Sequence, residues 1–245
     1  MGKKDTSTVK REKEYTFDVA VIGGGVAGLC AAVSAARHGA KTVLVQNRPV
    51  LGGNASSEIH VPINGSYHFK NKFGVDRETG IVEEIQLENR YYNVQNSWEV
   101  WDHVMYDYVT RQENLTLMLN TQAMEAVMDG NSIKKAICFQ FSTESKIIIS
   151  ADVFIDCSGD GALAASAGAE YRTGREGKAE FNEKYAPDEP DGWVMGDSIQ
   201  FSSKDMGYPV PFNPPSFAIK YDPSKANKRN ITQLSCGFWW VELGS

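Results

Sequence analysis

The sequence has no long apolar run. No stretch approaches the roughly 18 consecutive apolar residues that a membrane-spanning helix needs, so we predict no membrane span. Residues 1–14 are polar and lysine-rich and lack the apolar segment of a signal peptide, so they predict a disordered lead-in. These features fit a cytoplasmic protein, or a periplasmic one whose signal sequence has been removed.

Cysteine and histidine are few and scattered. The four cysteines form no C-x-x-C pair, and the four histidines form no H-x-x-x-H pair. Local spacing therefore gives no zinc-ribbon or iron–sulfur signature, and we predict no metal site. The cysteines are expected to act as small buried hydrophobic residues.

A basic stripe is also missing. The formal net charge is −6 over 245 residues, and no basic stripe dominates any segment. This argues against a protein that binds a nucleic-acid phosphate backbone. The expected partner is a small-molecule substrate, and the oligomeric state is not readable from the sequence.

What the chain does contain is a β-α-β unit. Residues 17–22 and 41–46 are typical of buried strands, and residues 26–38 form an alanine-rich helical pattern that Gly39 closes. A crossover of this length predicts two parallel strands with a right-handed connection.

The rest of the first part of the chain predicts a Rossmann-like α/β fold with an inserted β-meander. Two helices are expected within 79–112, where Trp98, Trp101, Met105 and Tyr108 recur at helical spacing and should face the core. The strands that follow are predicted at 115–119, at 122–128, 133–141 and 146–150 in the meander, and at 153–157, before a short helix at 161–167.

Composition changes after residue 174, where proline and aromatic residues become frequent. We therefore predict one nucleotide-binding domain over 15–174, with the meander at about 122–150, and the start of a β-rich substrate region over 175–245.

A glycine pattern lies between the first strand and the first helix. Gly23, Gly25 and Gly28 form G-x-G-x-x-G: the first permits a tight turn, the second lets a pyrophosphate approach the backbone, and the third lets helix and strand pack closely. Val26 and Ala27 open the helix, whose unpaired N–H groups and dipole favour an anion. The pattern predicts a dinucleotide site.

The second strand ends at Gln46, where such sites usually carry Asp or Glu to bind the ribose hydroxyls. The amide oxygen of Gln46 can accept one hydroxyl hydrogen but brings no charge, so we expect weaker ribose anchoring. Asn47 and Arg48, which follow it, belong to the predicted cofactor site.

Two more segments are predicted to reach the cofactor. Residues 51–57 offer backbone N–H groups and hydroxyls, and favour FAD over NAD because in flavoproteins the chain here turns back across the pyrophosphate. Residues 154–161 end a strand with Ser-Gly-Asp-Gly, where Asp160 is expected to bind a polyol, to cap the next helix, or both. Ala123, in the predicted meander, is also assigned to the cofactor site. The cofactor-binding residues predicted here are Gly52, Gly53, Asn54, Ser56, Ser57, Ala123, Ser158, Gly159 and Asp160.

Together these motifs resemble the FAD-binding fold of the glutathione-reductase-like flavoproteins. With Gly174-Arg-Glu and the segments 195–201, 209–212 and 237–242, the chain from residue 15 onward is similar to a bacterial family of FAD-dependent oxidoreductases. The resemblance implies FAD as the cofactor. It also implies longer members that carry Glu at the position of Gln46 and a further Gly-Asp motif, so we expect this chain to be the N-terminal part of a larger enzyme.

Three side chains are candidates for chemistry at a flavin. Glu58 and His60 follow the second glycine loop and could accept a proton during hydride transfer, although a buried structural role is the favoured interpretation of His60. Arg175 could bind a substrate carboxylate or polarise a carbonyl, or it could form a surface ion pair with Glu176 or Glu180.

These features predict an FAD-dependent oxidoreductase that transfers hydride between flavin and a small organic substrate, such as an alcohol or a sugar. Two alternatives stay open: a nucleotide-binding module or fragment without turnover, and an NAD-dependent Rossmann enzyme.

Overall fold

The structure is a computed structural model that describes residues 11–63, 78–220, 222, 232–235 and 238–243. The chain divides into two compact units, Met1–Glu170 and Tyr171–Ser245. The domain boundary that the sequence predicts after residue 174 lies within the first residues of the second unit.

The first unit contains one six-stranded sheet and its helices. The strands are β1 (Arg11–Ile22), β2 (Thr42–Val45), β3 (Leu115–Met118), β4 (Thr121–Asp129), β5 (Ser132–Gln140) and β6 (Ser145–Asp156). The helices are α1 (Val26–Arg37), α2 (Gly80–Tyr92), α3 (Trp98–Thr110) and α4 (Ala162–Ser166), with a 3-10 turn at Gly53–Ala55. The sheet order is β3-β2-β1-β6-β5-β4.

The sheet has a parallel core and an antiparallel extension. β3, β2, β1 and β6 pair in parallel, whereas β6, β5 and β4 pair antiparallel as a meander. The predicted β-α-β unit is confirmed, since β1 and β2 are parallel neighbours and α1 lies between them in the chain. The predicted α/β fold with an inserted meander is confirmed as well.

Two strands differ from the sequence prediction. β1 begins at Arg11, so residues 11–14 of the predicted disordered lead-in are strand, because they pair in register with the start of β6. Residues 1–10 lie outside the described residues. β6 is one continuous strand where two were predicted: Ser150-Ala-Asp152 interrupts the apolar run, but β1 pairs with β6 from Arg11 to Ile22 and keeps it extended.

Side chains of the parallel strands alternate between two apolar clusters. Ala20 and Ile22 pack in one cluster with meander residues such as Ala136 and Ile147. Val21 packs in the other, with residues of α1 and α3. The parallel core therefore packs against α1 and α3 on one face, and on the other face its side chains share an apolar cluster with side chains of the meander.

The aromatic stripe of α3 faces the second of these clusters. Trp101, Met105 and Tyr108 are buried there, and Trp98 packs at its edge. The core-facing role that helical spacing predicts for this stripe is therefore confirmed.

The second unit contains α5 (Lys178–Phe181), β7 (Asp197–Ser202), β8 (Thr232–Ser235) and β9 (Phe238–Leu243). The strands form an antiparallel sheet in the order β7-β9-β8. In neither unit do the described residues include a helix long and apolar enough to cross a membrane.

Candidate dinucleotide site

A cavity of about 340 Å³ lies where β1, β2 and β6 end. Ligands of open α/β sheets bind at this edge of the parallel strands. Predicted cofactor residues from five separate segments line it: Gly23, Gly25, Gln46, Asn47, Arg48, Gly53, Ala123, Ser158 and Asp160. The fold therefore brings the sequence motifs together around one space.

Two of the three motif glycines are required by packing. Gly23 has φ +104°, and a Cβ there would lie 2.2 Å from the carbonyl oxygen of Cys157. A Cβ at Gly28 would lie 1.8 Å from the carbonyl oxygen of Gly23. Any side chain at either position would push apart β1, α1 and the end of β6.

Gly25 is different, because a Cβ there would meet no protein atom within 4 Å. Gly25 caps the N-terminus of α1 with ordinary extended backbone (φ −62°), and its carbonyl accepts the Leu29 N–H at 2.9 Å. The first turn, which Val26 and Ala27 begin, contains no acidic residue. The open space at this helix end suits an anion.

The second glycine loop packs directly on the first. The Gly52 N–H donates to the carbonyl oxygen of Gly24 at 2.8 Å. Gly53 lies so close that a Cβ on it would be 3.3 Å from the Cα of Gly25. Gly53 therefore extends the cavity wall next to the end of α1.

The polar groups after Gly53 hold this loop in shape. The Ser56 hydroxyl donates to the carbonyl oxygen of Gly53 at 2.7 Å and accepts the Glu58 N–H at 3.2 Å. The Ser57 N–H donates to Asp102 at 3.0 Å. Direct cofactor contacts by Gly52, Asn54, Ser56 and Ser57 stay predictions.

Helix α3 supports the same loop from the core. The indole Nε1 of Trp101 donates to the carbonyl oxygen of Ala55 at 2.6 Å, and Asp102, the next residue, accepts from Ser57. Neither residue belongs to a sequence motif. Sequence reasoning found Trp101 as a core residue and missed its hydrogen bond to the loop.

Gln46 lies at the end of β2 and is 4% exposed. Its amide oxygen accepts the Gly24 N–H at 2.9 Å, and its amide nitrogen donates to the carbonyl oxygen of Val50 at 3.0 Å. Its own carbonyl oxygen accepts the Thr121 N–H at 2.8 Å, which brings the start of β4 to the cavity.

Asp156 organises the third segment, a role that the sequence motifs did not reveal. Its carboxylate accepts the Ser158 N–H at 2.9 Å and the Ala164 N–H at 2.8 Å. Burial alone would raise the pKa of Asp156, but these hydrogen bonds, with that from Leu163, outweigh burial and hold the pKa below its usual value. Its position two residues before Ser158, where the Ser-Gly-Asp-Gly segment begins, is the signal that could have identified it.

One of the two roles weighed for Asp160 is wrong. The N-cap residue of α4 is Gly161, and the Ser158 hydroxyl accepts the Ala162 N–H at 2.9 Å. Asp160 does not cap the helix, because Ser158 and Asp156 already accept from its first turn. Asp160 is exposed and lines the cavity, whereas Gly159 beside it has φ +93° and turns the chain.

The two predicted proton acceptors have different surroundings. Both carboxylate oxygens of Glu58 accept from the Arg48 guanidinium, at 2.7 and 2.9 Å. His60 has a left-handed backbone (φ +64°), and its ring stacks on Trp98 with centroids 5.1 Å apart. His60 is half-buried, and both its structural role and its catalytic role stay predictions.

Arg175 belongs to the second unit. Its guanidinium forms an ion pair with Asp191, and the main chains of the two residues exchange two N–H···O hydrogen bonds. The guanidinium also lies 5.4 Å from the centroid of the Trp193 ring. The predicted pairing with Glu176 or Glu180 is wrong, because Glu180 is held by Arg172 at 2.7 Å. A catalytic role for Arg175 stays a prediction.

The described cysteines, Cys30, Cys138 and Cys157, are free thiols. Burial raises the pKa of Cys138 to about 12, as expected for a small core residue. Cys157 lines the cavity, and burial together with the Asp156 charge raises its pKa too. Both thiols are protonated near neutral pH and are poor nucleophiles.

A second cavity, of about 300 Å³, lies at the connection between α2 and α3. Its wall includes the amide side chains of Gln86, Asn89, Asn93 and Asn96 beside Trp98. The glycine turn of β1 does not line it, so the first cavity is the candidate dinucleotide site. Among the residues that the structure describes, no group of three metal-ligating side chains lies close enough together to hold a metal ion.

Comparison with known proteins gives a family match over most of the chain. The model of a family described as FAD dependent oxidoreductase matches residues 18–236. Fumarate reductase (cytochrome) of Shewanella frigidimarina is 55% identical over 40 residues, which are 16% of this chain and 7% of that protein. The aerobic glycerol-3-phosphate dehydrogenase of Staphylococcus saprophyticus is 36% identical over 90 residues, 34% of this chain and 16% of that protein.

Solved structures show weaker likeness. A geranylgeranyl bacteriochlorophyll reductase-like protein from Thermoplasma acidophilum has a TM-score of 0.47 and 17% identity, covering 95% of this chain and 57% of that one. The chain spans less than two thirds of the length of each of these relatives.

Proposed function

The chain belongs to the FAD dependent oxidoreductase family, and from this premise we propose that the glycine-lined cavity holds FAD. We further propose that the chain supplies the cofactor-binding part of an enzyme that transfers hydride between flavin and a small organic substrate, such as an alcohol or a sugar. FAD supplies the redox chemistry when bound, and the protein binds and orients it.

The open space at Gly25 carries this proposal. A Cβ at Gly25 would meet no protein atom within 4 Å, although the motif positions 23 and 28 are tightly packed. This space adjoins the N-terminus of α1, a 12-residue helix without an acidic first turn. A diphosphate fits these surroundings, because main-chain N–H groups and the helix dipole favour negative charge there.

Other residues of the cavity wall suit the remaining parts of FAD. Asn47 and Arg48 lie beside the end of β2, where the adenosine ribose is expected. Ser158 and Asp160 lie at the end of β6, where the Asp160 carboxylate can accept hydrogen bonds from a polyol.

His60 is the better of the two candidate proton acceptors. The Glu58 carboxylate is neutralised by a two-pronged contact with Arg48, which lies in the same connection between β2 and α2. His60 is held by its stacking on Trp98 in a backbone conformation that non-glycine residues adopt at a cost. Such strain is common at functional sites and supports His60 as the residue that moves a proton.

Replacing Gly25 by Val tests the cofactor proposal. The backbone at Gly25 is accessible to valine and a Cβ there would meet no protein atom within 4 Å, so stability should change by only about 0.5 kcal/mol. The added methyl groups occupy the proposed diphosphate space, and FAD affinity should fall at least about a hundredfold, as expected when ligand and side chain overlap. Flavin fluorescence titration measures the affinity, and urea unfolding measures the stability.

The matched control is Gly192→Ala, which also has open space around the added Cβ but lies outside the cavity. It should bind FAD as the unmodified chain does. Unchanged FAD binding by Gly25→Val would place the cofactor elsewhere.

The reaction is tested separately. The FAD-loaded protein is mixed anaerobically with alcohols and sugars, and bleaching of the yellow flavin band reports hydride transfer. FAD binding without bleaching by any donor would favour a nucleotide-binding module over an oxidoreductase.

A further inference from the structure

The Gln46 side chain is engaged at both ends by main chain of two different loops. Its oxygen accepts from the Gly24 N–H of the first glycine loop, at 2.9 Å. Its nitrogen donates to the Val50 carbonyl oxygen of the second loop, at 3.0 Å. The side chain therefore bridges the loop that starts α1 and the loop that carries Gly52 and Gly53.

Only an amide satisfies both contacts. The Gly24 N–H needs an acceptor and the Val50 carbonyl needs a donor, and glutamine supplies one of each. A carboxylate has no hydrogen to donate, so Glu at this position would place a negative oxygen next to the Val50 carbonyl oxygen.

The surroundings hold the amide in this orientation. Gln46 is 4% exposed, and a Cβ on Gly24 would lie 2.9 Å from the Gln46 Cβ and 3.1 Å from its Cδ. A main-chain hydrogen bond from the Gly52 N–H to the Gly24 carbonyl oxygen joins the same two loops. The two loops are thus joined by one main-chain and two side-chain hydrogen bonds.

From these contacts we infer that Gln46 is a positioning residue, which sets the two glycine loops at the separation that receives a diphosphate and does not serve as the main ribose anchor. The inference rests on the proposed FAD site. It replaces the expectation that Gln46 binds the ribose in place of an acid, because one N–H of its amide and one lone pair of its oxygen are used within the protein.

Nucleotides with and without ribose hydroxyls distinguish the two roles. The probes are ADP and 2′,3′-dideoxy-ADP, which share the diphosphate and adenine, and calorimetry measures their affinities for the full chain. In Gln46→Glu, we expect both affinities to fall by the same factor of about tenfold, because loss of one buried hydrogen bond displaces the loops. A ribose anchor gives the opposite result: Gln46→Glu would bind ADP more tightly and dideoxy-ADP unchanged.

Gln46→Met provides a second variant of similar length that can make neither hydrogen bond. It should lose affinity for both nucleotides equally and by a larger factor than Gln46→Glu. A loss confined to ADP, in either variant, would overturn the inference.

Gln122→Glu is the matched control for charge. Gln122 lines the same cavity, and its amide donates to the neighbouring Ala123 carbonyl without bridging the loops. Its added charge faces the same cavity but leaves the loop bridge intact, so Gln122→Glu should lower both affinities by a smaller factor than Gln46→Glu. An equal loss in Gln122→Glu would mean that negative charge, not loop position, weakens binding.

The proposed function and this inference fail in different ways. If the unmodified chain binds neither FAD nor ADP, the cofactor site itself is wrong. If it binds both and only the ratio of ADP to dideoxy-ADP affinity changes in the variants, the site stands and the positioning role falls.

Discussion

Asp156 shows how a single carboxylate at the end of a strand can shape a binding edge. It accepts main-chain N–H groups from Ser158 and Ala164, so it fixes both the turn after β6 and the start of α4. Desolvation raises the pKa of Asp156, but the hydrogen bonds lower it by more, so the pKa lies below its usual value of 3.8. The folded state therefore favours the ionised carboxylate of Asp156.

Replacing Asp156 by Asn should destabilise the protein by about 1–2 kcal/mol at pH 7, because an NH₂ group would face a backbone N–H. A carboxyl whose pKa is lowered in the folded state stabilises the protein above its unfolded-state pKa and loses that contribution as the pH falls through the folded value. The difference between the two proteins should therefore shrink below about pH 4. Urea unfolding at several pH values measures it.

The control for this variant is Asp152→Asn, an exposed carboxylate on the same strand. It should leave the free energy of unfolding nearly unchanged at every pH. A constant difference between Asp156→Asn and the unmodified chain from pH 7 to pH 3 would contradict the role of the Asp156 charge.

Some residue roles were readable from the sequence and others were not. The glycine pattern predicted Gly23, Gly25 and Gly28, because each spacing has a mechanical reason that is local in the chain. The bridge made by Gln46 was not predictable, because Gly24 is 22 residues away and its N–H direction is set by the fold. The mistaken cap at Asp160 has a different origin, because a second local residue, Ser158, takes that place.

At the scale of elements, a polar cluster joins the three helices that cover one face of the sheet. Arg37 of α1 binds Glu84 of α2 at 2.9 Å, and Tyr108 of α3 donates to Glu84 at 2.5 Å and accepts from Arg37 at 2.8 Å. Burial, and then the hydrogen bond to Glu84, raise the pKa of Tyr108, so its hydroxyl stays protonated. The Arg37 contact, followed by that of Tyr108, lowers the pKa of Glu84.

Replacing Tyr108 by Phe should cost about 1–2 kcal/mol, because Glu84 and Arg37 each lose a partner while the ring stays in the core. The half-exposed ion pair by itself contributes less than about 1 kcal/mol. Tyr106→Phe, an exposed tyrosine of the same helix, is the matched control and should be neutral. Equal urea midpoints for the two variants would show that the cluster does not join the helices.

Element prediction succeeded where periodicity was strong and failed where pairing decided the outcome. The stripe of α3 was readable because buried residues recur at helical spacing. The continuity of β6 was not, because Ser150-Ala-Asp152 resembles a turn until β1 is present to pair with it. The extension of β1 to Arg11 has the same cause, since its polar residues become a strand only beside β6.

At the scale of the whole molecule, cofactor binding should be linked to unfolding. A ligand that binds only the folded state stabilises it by about 2.7 kcal/mol when its free concentration is about 100 times the dissociation constant. We expect FAD to raise the free energy of unfolding by this amount, in proportion to the logarithm of its concentration. Denaturation at increasing FAD measures the effect, and Gly25→Val should show none over the same range.

The placement of the cavity depends on connections that no motif reports. The start of β4 reaches the cavity because the Thr121 N–H donates to the Gln46 carbonyl oxygen. That contact follows from the sheet order, which brings β3 beside β2 and returns the chain to the same edge. The β-α-β spacing predicted the pair of β1 and β2, but the sequence does not show which of the later strands are neighbours.

The continuity of β6 also limits how this polypeptide can be rearranged. The first half of β6 pairs with β5 in the meander, and its last residue, Asp156, positions the turn beside the cavity. New chain ends within Ser145–Asp156 would therefore separate the meander from that turn. The exposed hairpin at Gly130, between β4 and β5, lies away from that strand and has a left-handed backbone suited to a turn. A circular permutation or a split pair of fragments should therefore be opened at this hairpin, where reassembly would restore the sheet without interrupting the strand that carries the nucleotide edge.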